Sequence, residues 1–441
     1  MARMPGSVMS VNVFRSTLIL IAKHMLFAAL QGMQYGRLQF IDPSSGPEKG
    51  PCQPDVIVGS GEPSATVLVK DDWFWVRVLA SGSVVRGMPP NRDFGAILIY
   101  SLVKGFAEAY ISGEIDSPNL LTIFKIALTN RRMFIQLDKQ SPIVTKLYSL
   151  FAPTNTIEQA KRNVSAHYDV SNEIFATFLS PDMTYSCPLW LPPQDIEYKH
   201  DDLEKAQQRR LLYHIKAARI KSSDHVLEIG TGWGSFAIQA VRETGCTLTT
   251  VTLSTEQKAL AEKRIDAAGL ADKITVLLCD FREIPKLTVG RRFDKVVSIE
   301  MLEHTGIEYL HEYFGVIKDL LMEEGAIATF QATMMSESYQ ADCQATGSFI
   351  CKHIYPGGYL PTLTEAIKAI NKGAGDHFII DRIENFGGLG RAFQAWGKTF
   401  DRDFDSRIRP DMVTRNPQCC DTEIEEFRRK WRASIYSSVT N

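Results

Sequence analysis

The chain has 441 residues, which is too long for one ordinary hydrophobic core and therefore predicts two domains. Hydrophobic residues make up 44% of the sequence and charged residues 23%, as in an ordinary globular protein. The net charge of −2 excludes a strong overall attraction to nucleic acid, and the arginine pairs at 131–132, 209–210 and 291–292 are interpreted as solvated surface.

The N-terminus contains a short apolar run, STLILIA (16–22), that is interrupted by Lys23 and His24. It is too short to span a bilayer, and no transmembrane segment is expected elsewhere. An amphipathic helix is predicted instead by the residues Leu18, Ile19, Ile21, Leu26, Phe27 and Leu30. Core packing is the favoured interpretation of its apolar face, and contact with a membrane surface is the alternative.

The rest of the first domain has both strand and helix patterns. Strand-like runs occur at RLQFI and DVIVG, and ATVLVKDDWFWVRVLASG (65–82) predicts a strand, a turn and a further apolar segment, with Trp73, Phe74 and Trp75 in the core. Helical periodicity follows from about Asp93 to Asn130. We place the domain boundary near residue 150, which gives a smaller α+β N-terminal domain (1–150) and a second domain (151–441).

The second domain alternates strands and helices, which predicts an α/β fold with a doubly wound parallel sheet. The expected strands are 225–229, 247–253, 273–279, 294–299 and 326–332. The expected helices between them are 235–243, 255–268 and 308–321.

The first strand of this sheet leads into a glycine-rich turn in VLEIGTGWGSFAIQA (226–240). Gly230, Gly232 and Gly234 let the backbone turn tightly and approach a ligand. Dinucleotide enzymes use a similar turn, so the pattern alone is weak evidence. Glu228 before the first glycine, and the absence of a ribose-binding acid where the second strand ends in TLSTEQ, favour a different nucleoside ligand.

The next two strand ends supply the rest of a nucleoside pocket, because ligands bind outside the carboxyl ends of parallel strands. Thr252 and Leu253 end the second strand, and the amide of Gln257 can hydrogen-bond ribose hydroxyls. Asp280 at the end of the third strand can accept a hydrogen bond from an adenine amino group, while Phe281 packs on the ring.

These motifs together resemble the cyclopropane-fatty-acyl-phospholipid synthase family, which includes mycolic acid methyltransferases. The matching segments run in the family's order: NTIEQAKRNVSAHYDVSNEIFATFLSPDMTYSCPLW (155–190), VLEIGTGWGSFA, VTLSTEQ, LLCDFRE, FDKVVSIEMLEHTG (293–306) and HIYPGGYLPTL (353–363). GFAEAYISGEID (105–116) also resembles the N-terminal domain of the longer, two-domain members, which gives domain 1–150 a lipid-binding-like character.

The resemblance implies a Rossmann-like class I methyltransferase domain that uses S-adenosylmethionine. Family members transfer a methyl group to a cis double bond of an acyl chain, giving a cyclopropane or a methyl-branched product. The base that removes the released proton is attributed to a bound bicarbonate ion, which is the second cofactor expected here. By resemblance, Cys187 and Glu303 correspond to ion-holding positions, and Gln331, the third expected catalytic residue, falls where some members have a histidine.

The same resemblance assigns the donor site. The expected cofactor-binding residues are Tyr168, Tyr185, Ser186, Glu228, Gly230, Gly232, Gly234, Thr252, Leu253, Gln257, Asp280 and Phe281. A metal is not expected, because none of the eight cysteines or the histidines has metal-ligand spacing.

The chain departs from the family in its last third. Members have a tyrosine seven residues before a tryptophan, and counting back from Trp396 puts Leu389 there, with Gly388 in place of the preceding histidine. These departures bear on cyclopropane formation and leave the predictions of the fold and of the methyl donor unchanged.

Several alternatives stay open. Cys187 has a second interpretation as a buried apolar residue, and Glu303 has one as a helix cap. The leading function is methylation of an unsaturated phospholipid acyl chain by a cytoplasmic protein, with peripheral membrane contact and a homodimer as further options. Methylation of a small metabolite on carbon or nitrogen, or a catalytically silent lipid-binding homologue, are the competing functions.

Overall fold

The computed structural model describes residues 6–41, 55–80, 105–130, 171–337, 340 and 358–439. Tyr168, the arginine pair at 131–132 and residues 353–357 of the HIYPGGYLPTL motif lie outside these ranges.

The chain groups into two units, Met1–Ser149 with Gln418–Asn441, and Leu150–Pro417. The last helix, Asp421–Ser438, belongs to the first unit, whereas the sequence analysis placed it in the second domain. The physical reason is Arg429, whose buried guanidinium donates hydrogen bonds to the carbonyl oxygens of Tyr110 and Ile115 and to Asp116, each at 3.0 Å. These acceptors are far from Arg429 in the chain, so the sequence pattern did not indicate them.

The first unit is built on a mixed four-stranded sheet with the order β2-β1-β3-β4. Its strands are β1 (Gly36–Ile41), β2 (Val56–Ser60), β3 (Ser64–Val69) and β4 (Ile115–Asp116). β1 pairs with β3 in parallel, and the other two pairings are antiparallel. Its helices include α1 (Gly6–Leu30), α2 (Trp73–Ala80) and α3 (Leu120–Thr129).

The N-terminal helix is present and packs partly into the core of this unit. Leu26 and Leu30 are buried, and the ring of Phe27 lies 5.2 Å from that of Trp75. Ile21, which was expected on the apolar face, is half exposed instead. In the described part of the chain, no helix is both long enough and apolar enough to cross a membrane.

Two expectations for this unit need correction. The helical pattern up to Asn130 is not continuous: after helical residues 105–111 the backbone turns at Gly113, with φ +78°, and forms β4. Glycine suits this left-handed conformation because it has no Cβ. Trp73 is 41% exposed, so only Phe74 and Trp75 of the aromatic trio belong to the core.

The second unit contains the predicted doubly wound sheet, and the Rossmann-like fold is confirmed. Its five strands are all parallel in the order β7-β6-β5-β8-β9. They are β5 (His225–Ile229), β6 (Thr247–Thr252), β7 (Ile274–Leu278), β8 (Lys295–Ile299) and β9 (Ile327–Gln331). The strand order reverses between β5 and β8, which is where ligands bind in such sheets.

Helices cover both faces of this sheet, as an all-parallel sheet requires. Before and between the strands lie α4 (Asn172–Phe178), α5 (Leu203–Ala217), α6 (Ser235–Thr244), α7 (Thr255–Ala267), α8 (Ile284–Leu287), α9 (Leu302–Thr305) and α10 (Leu310–Leu320). After them come α11 (Leu363–Ala374), α12 (Leu389–Asp403) and α13 (Arg409–Arg415).

The two faces have separate apolar clusters. On one face Leu211 and Ile215 of α5 pack with Phe236 of α6. On the other, Tyr313 and Phe314 of α10 pack against the strands. Burial of both faces explains the near-continuous apolar runs from which the strands were predicted, and it holds the strand ends rigidly at one edge.

Candidate active site

The glycine turn after β5 has the backbone geometry of a ligand loop. Gly230, Gly232 and Gly234 all have positive φ, at +103°, +51° and +86°. A Cβ on Gly230 would lie 2.8 Å from Met301, so the turn is closely packed there. A Cβ on Gly232 would meet no atom within 4 Å among the described residues, so the open side of the turn lies at this residue.

Glu228, two residues before the turn, is a buried carboxyl that is incompletely bonded. Burial raises its pKa to about 8, and the hydroxyl of Thr250 offsets only part of that shift. Its Oε2 atom is buried without a hydrogen-bond partner in the described part of the chain. Buried polar atoms are normally paired, so this oxygen is suited to accept a hydrogen bond from a ligand.

The second strand end holds its polar groups together. The hydroxyl of Thr252 donates to Oε1 of Gln257 at 2.8 Å, and Ser254 caps α7 by accepting from the backbone N–H of Gln257. Leu253 is half buried beside them. Gln257 therefore lies where the sequence placed it, and its role toward a ribose stays a prediction.

The third strand end shows a competing partner for Asp280. Both of its carboxylate oxygens accept from Arg282, at 2.6 Å and 2.9 Å, and the side chain also caps the short 3₁₀ helix Phe281–Glu283. Phe281 is buried against Tyr313, with ring centroids 4.9 Å apart. The expected adenine contact at Asp280 would thus have to share a carboxylate that Arg282 already holds.

Tyr185 and Ser186 follow α4 in the TYSCPLW motif. Tyr185 is held by aromatic neighbours, with its ring 5.1 Å from Trp396 and 5.5 Å from Phe175. The hydroxyl of Ser186 is buried and, within the described ranges, has no hydrogen-bond partner. Together with Glu228 and the open side of Gly232, this unpaired hydroxyl fits a polar nucleoside-type ligand such as S-adenosylmethionine.

Beyond the donor loop, Cys187 and Gln331 converge on one carboxylate. Oε1 of Glu300 accepts from the backbone N–H of Cys187 at 2.7 Å and from Nε2 of Gln331 at 2.6 Å. Nε2 of Gln331 also donates to the carbonyl oxygen of Cys187 at 3.2 Å. The structure thus brings together two of the three expected catalytic residues around Glu300, which the sequence analysis did not single out.

The other side of the Gln331 amide is held by two residues of α5. Oε1 of Gln331 accepts from Nε of Arg210 and lies 3.0 Å from Nε2 of His214. Burial, with the charge of Arg210, lowers the pKa of His214 to about 4, so the imidazole is neutral. Arg210 is only 3% exposed, which corrects its interpretation as solvated surface.

Glu303 lies on α9, just after the same strand as Glu300. Its Oε1 accepts from the backbone N–H of Thr333 at 2.6 Å, so it does not act as the cap of a following helix. Its Oε2 is buried and, among described residues, unpaired. Burial and the neighbouring Glu300 raise its pKa to about 8.

The thiol of Cys187 is protonated at neutral pH. Burial and the charge of Glu300 raise its pKa to about 12. Its Sγ lies 3.3 Å from the carbonyl oxygen of Gly387 and donates to it. Cys187 therefore contributes its backbone N–H rather than a thiolate.

Leu389 is the first residue of α12, and the helix starts from Gly388, whose φ is +86°. The carbonyl oxygen of Gly388 accepts from the indole N–H of Trp190 at 2.9 Å. A Cβ at Gly388 would lie 2.5 Å from the same indole ring, so close packing explains the glycine where family members have histidine.

The sequence contained a usable signal for Glu300 but not for its partners. Glu300 directly follows β8, so the strand-end rule that selected Asp280 applies to it equally. Arg210 and His214 are four residues apart and lie on one face of α5. In the sequence, this spacing is typical of an ordinary polar helix face in solvent. Only the fold brings that face under β9.

Comparison with known proteins places most of the second unit in one family. Residues 155–413 match the model of the family described as mycolic acid cyclopropane synthetase. The chain is 36% identical over 267 residues to the tuberculostearic acid methyltransferase UfaA1 of Mycobacterium tuberculosis, covering 60% of each chain. It is 26% identical to the cyclopropane-fatty-acyl-phospholipid synthase of Escherichia coli, covering 81% of this chain and 87% of that one. The chain thus spans about three fifths of the mycobacterial relative's length.

Solved structures show the same fold at low sequence identity. The cyclopropane synthase MmaA2 of Mycobacterium tuberculosis superposes with a TM-score of 0.53 at 21% identity, covering 63% of this chain and 92% of that one. A coclaurine N-methyltransferase superposes with a TM-score of 0.57 at 15% identity, and the match covers 76% of this chain and 93% of that one. The family match extends over more than half of the sequence, and the chain belongs to the mycolic acid cyclopropane synthetase family.

Proposed function

We propose that this protein is an S-adenosylmethionine-dependent methyltransferase that methylates a double bond in an unsaturated lipid acyl chain. The observation that carries the proposal is the position of two carboxyls, Glu300 immediately after β8 and the buried Glu303 on α9, beside the strand that leads into the glycine turn. The proposal places the donor at the turn and the acceptor over these carboxyls.

The residues that would hold the donor are those with unused polar atoms. Glu228 and Ser186 each offer a buried, unpaired oxygen within the described structure, and Gly232 leaves its side of the turn open. S-adenosylmethionine supplies a methyl group on a positively charged sulfur. Tyr168, which lies outside the described ranges, is proposed to complete the methionine end of the site.

The surroundings of the carboxyls suit an apolar acceptor. Methylation of an alkene produces a cationic carbon, which must be kept from water until a proton leaves. Aromatic rings lie next to residues of the cluster: Phe386 lies 4.7 Å from the guanidinium of Arg210, and Tyr185, two residues before Cys187, packs against Phe175 and Trp396. Aromatic faces stabilise a nearby cation.

An apolar surface precedes Phe386 in the chain. Ile379, Ile380 and Ile383 are 92%, 43% and 56% exposed, in a stretch without helix or strand. Exposed apolar side chains of this kind are suited to contact a lipid surface. We propose that this segment meets the membrane that supplies the acyl chain, which gives the protein a peripheral membrane location.

The relatives' names support the choice of a lipid over a small metabolite. They include a tuberculostearic acid methyltransferase, a cyclopropane-fatty-acyl-phospholipid synthase and, in Candida albicans, a sphingolipid C9-methyltransferase. We propose a phospholipid acyl chain as the acceptor here.

The test uses S-adenosylmethionine with a deuterated methyl group and purified full-length protein. Vesicles of a cis-unsaturated phospholipid, vesicles of the matched saturated phospholipid and a soluble amine are offered in separate reactions. Mass spectrometry should find deuterium only in the unsaturated acyl chains. Deuterium in the amine alone would assign the protein to small-metabolite methylation, and no transfer to any acceptor would favour a silent homologue.

A further inference from the structure

Glu300 is held in a conformation that non-glycine residues rarely adopt. It is the first residue after β8, and its φ is +52°. A left-handed conformation at such a residue is strained and persists only where the surroundings enforce it. Here the backbone N–H of Glu300 donates to the carbonyl oxygen of Gln331 at 2.8 Å, which fixes the turn.

This turn places the Glu300 carboxylate on two convergent donors. The backbone N–H of Cys187 and Nε2 of Gln331 both donate to the same oxygen, Oε1. Both donors belong to residues expected to be catalytic, and Cys187 is a position at which a bound bicarbonate was expected. Bicarbonate and a glutamate side chain present the same planar, negatively charged pair of oxygens, and two such anions in one buried place would repel each other.

The orientation of Gln331 is fixed by its neighbours. Arg210 has only N–H groups to offer, so it must face Oε1 of Gln331. That leaves Nε2 of Gln331 to face Glu300 and the carbonyl oxygen of Cys187, both of which are acceptors. Arg210 and Gln331 are therefore positioning residues, and they direct one hydrogen-bond donor, Nε2 of Gln331, and the positive charge of Arg210 toward Glu300.

We propose that the carboxylate of Glu300 is the built-in proton acceptor of the methyl-transfer reaction and takes the place of a soluble bicarbonate ion. The inference rests on the proposed function. It names a residue for the step that follows methylation of the double bond, and it replaces the bicarbonate cofactor expected from the family resemblance.

The bonds balance without another reactant. After the π electrons of the double bond have formed the new carbon–carbon bond, the second alkene carbon is positive. One C–H bond of the added carbon then breaks, its electron pair closes the three-membered ring onto the positive carbon, and the proton passes to Glu300. Both described hydrogen bonds to this carboxylate use Oε1, so Oε2 is the oxygen that receives the proton.

Other groups in the cluster are less suited to this step. The Cys187 thiol is protonated, because its pKa is raised to about 12. The hydrogen bonds to Glu303 come from Thr333 and from its own backbone, whereas those to Glu300 come from Cys187 and Gln331. Burial raises the pKa of Glu300 as well, which makes its carboxylate a stronger base than that of an ordinary glutamate.

The experiment compares two substitutions of Glu300 with a surface control. Glu300→Gln keeps the shape but cannot take a proton. Glu300→Gly removes the carboxylate, suits the positive φ and opens a place for a small anion. Glu308→Gln, an exposed acid eight residues further on, is the matched control.

Turnover is measured with unsaturated phospholipid vesicles in CO₂-free buffer and in a bicarbonate series. Wild type and Glu308→Gln should be equally active throughout. Loss of a general base costs typically 10²–10⁴-fold, so Glu300→Gln should lose about 100-fold or more at every bicarbonate concentration. Glu300→Gly should be equally inactive without bicarbonate and should recover as bicarbonate is added.

A second readout does not depend on turnover. Carbon-13 bicarbonate is titrated into each protein and followed by NMR, and S-adenosylhomocysteine affinity is measured by calorimetry. Bicarbonate should bind to Glu300→Gly and not to wild type, while the affinity for S-adenosylhomocysteine stays unchanged in all variants.

Three results would overturn the inference: bicarbonate binding by wild type, wild-type turnover that requires bicarbonate, or full activity of Glu300→Gln. If no lipid is methylated by wild type, the proposed function fails. The binding comparison then still decides whether Glu300 fills the anion's place.

Discussion

The carboxylate of Glu303 accepts a 2.6 Å hydrogen bond from the backbone N–H of Thr333, which joins the segments that follow β8 and β9. The two strands are neighbours in the sheet, so this bond closes one side of the crevice at their carboxyl ends. The second oxygen of Glu303 is buried and unpaired within the described structure. One carboxyl oxygen of Glu303 is thus held by Thr333, and the proposed function gives the other a role toward the acceptor.

Glu303→Gln should therefore lower turnover much more than donor affinity. The amide keeps the volume and can still accept from Thr333 through its oxygen, so folding should survive. A lost charged or proton-sharing interaction at a reacting centre is worth about 1.5–3 kcal/mol, or roughly 10–100-fold in rate. Steady-state kinetics with unsaturated phospholipid, beside calorimetry with S-adenosylhomocysteine, separates the two effects. Unchanged turnover would mean that Glu303 has only a structural role, through its hydrogen bond to Thr333.

Much of the fold followed from the sequence because its signals are local. Apolar runs, glycine turns and helical spacing predicted all five strands of the second unit to within one residue at each end. The last helix was assigned to the wrong unit because Arg429 bonds to residues more than 300 positions away. Such a partner leaves no mark on the local pattern.

The candidate site was predicted in part, namely where a local motif marks its residues. Glu228 and Ser186 were selected and do carry unused buried oxygens in the described structure. Arg210 was misread because an arginine pair on a helix usually lies in solvent, and only the packing of α5 beneath Gln331 buries it. Glu300 was not predicted, because the family resemblance assigns a role only to Glu303 within the same motif.

Glu228 should make the stability of the protein depend on pH. Its pKa is 4.5 in an ordinary setting and about 8 here because of burial, so between these values the folded protein keeps a proton that the unfolded chain has lost. The free energy of unfolding should therefore fall as pH rises from about 4.5 to 8, by roughly 1.4 kcal/mol per pH unit for this one group.

Glu228→Gln should remove that component of the pH dependence, which urea unfolding at several pH values can measure. The variant should be less affected than wild type by the rise from pH 5 to pH 8. Glu308→Gln, whose carboxyl is exposed, serves as the control and should follow wild type. Equal slopes for Glu228→Gln and wild type would mean that Glu228 is ionised in the folded protein.

Leu389→Tyr restores the phenol that family members have at this position. If Glu300 already holds the donors of the anion site, the phenol should bring no gain in lipid methylation to the wild-type protein. In the Glu300→Gly background it should tighten bicarbonate binding, since a hydrogen bond to a charged acceptor is worth about 1.5–3 kcal/mol. The measurement is a bicarbonate titration of three proteins: Leu389→Tyr, Glu300→Gly and the double variant that carries both substitutions. A bicarbonate-dependent gain in the otherwise wild-type protein would contradict the role given to Glu300.

Arg429→Met should destabilise the first unit. The substitution removes a donor from the carbonyl oxygens of Tyr110 and Ile115 and from the carboxylate of Asp116, although Asp116 keeps Lys70 and Tyr110 keeps the N–H of Gly113. Breaking a buried ion pair costs about 3–5 kcal/mol. Thermal unfolding measures the loss, with Arg291→Met, an exposed arginine of the second unit, as the control. Equal melting of Arg429→Met and wild type would show that the last helix is not held by this residue.

The central claim is that the glycine turn after β5 holds the methyl donor. Calorimetric titration with S-adenosylhomocysteine tests it most directly, with wild type compared to Gly232→Val and to the exposed control Glu308→Gln. The open side of Gly232 would be filled by a valine side chain, and φ +51° disfavours a β-branched residue. We predict binding by wild type and by the control, and at least a tenfold loss, about 1.4 kcal/mol, in Gly232→Val. A wild-type protein with no measurable affinity for S-adenosylhomocysteine would contradict the account.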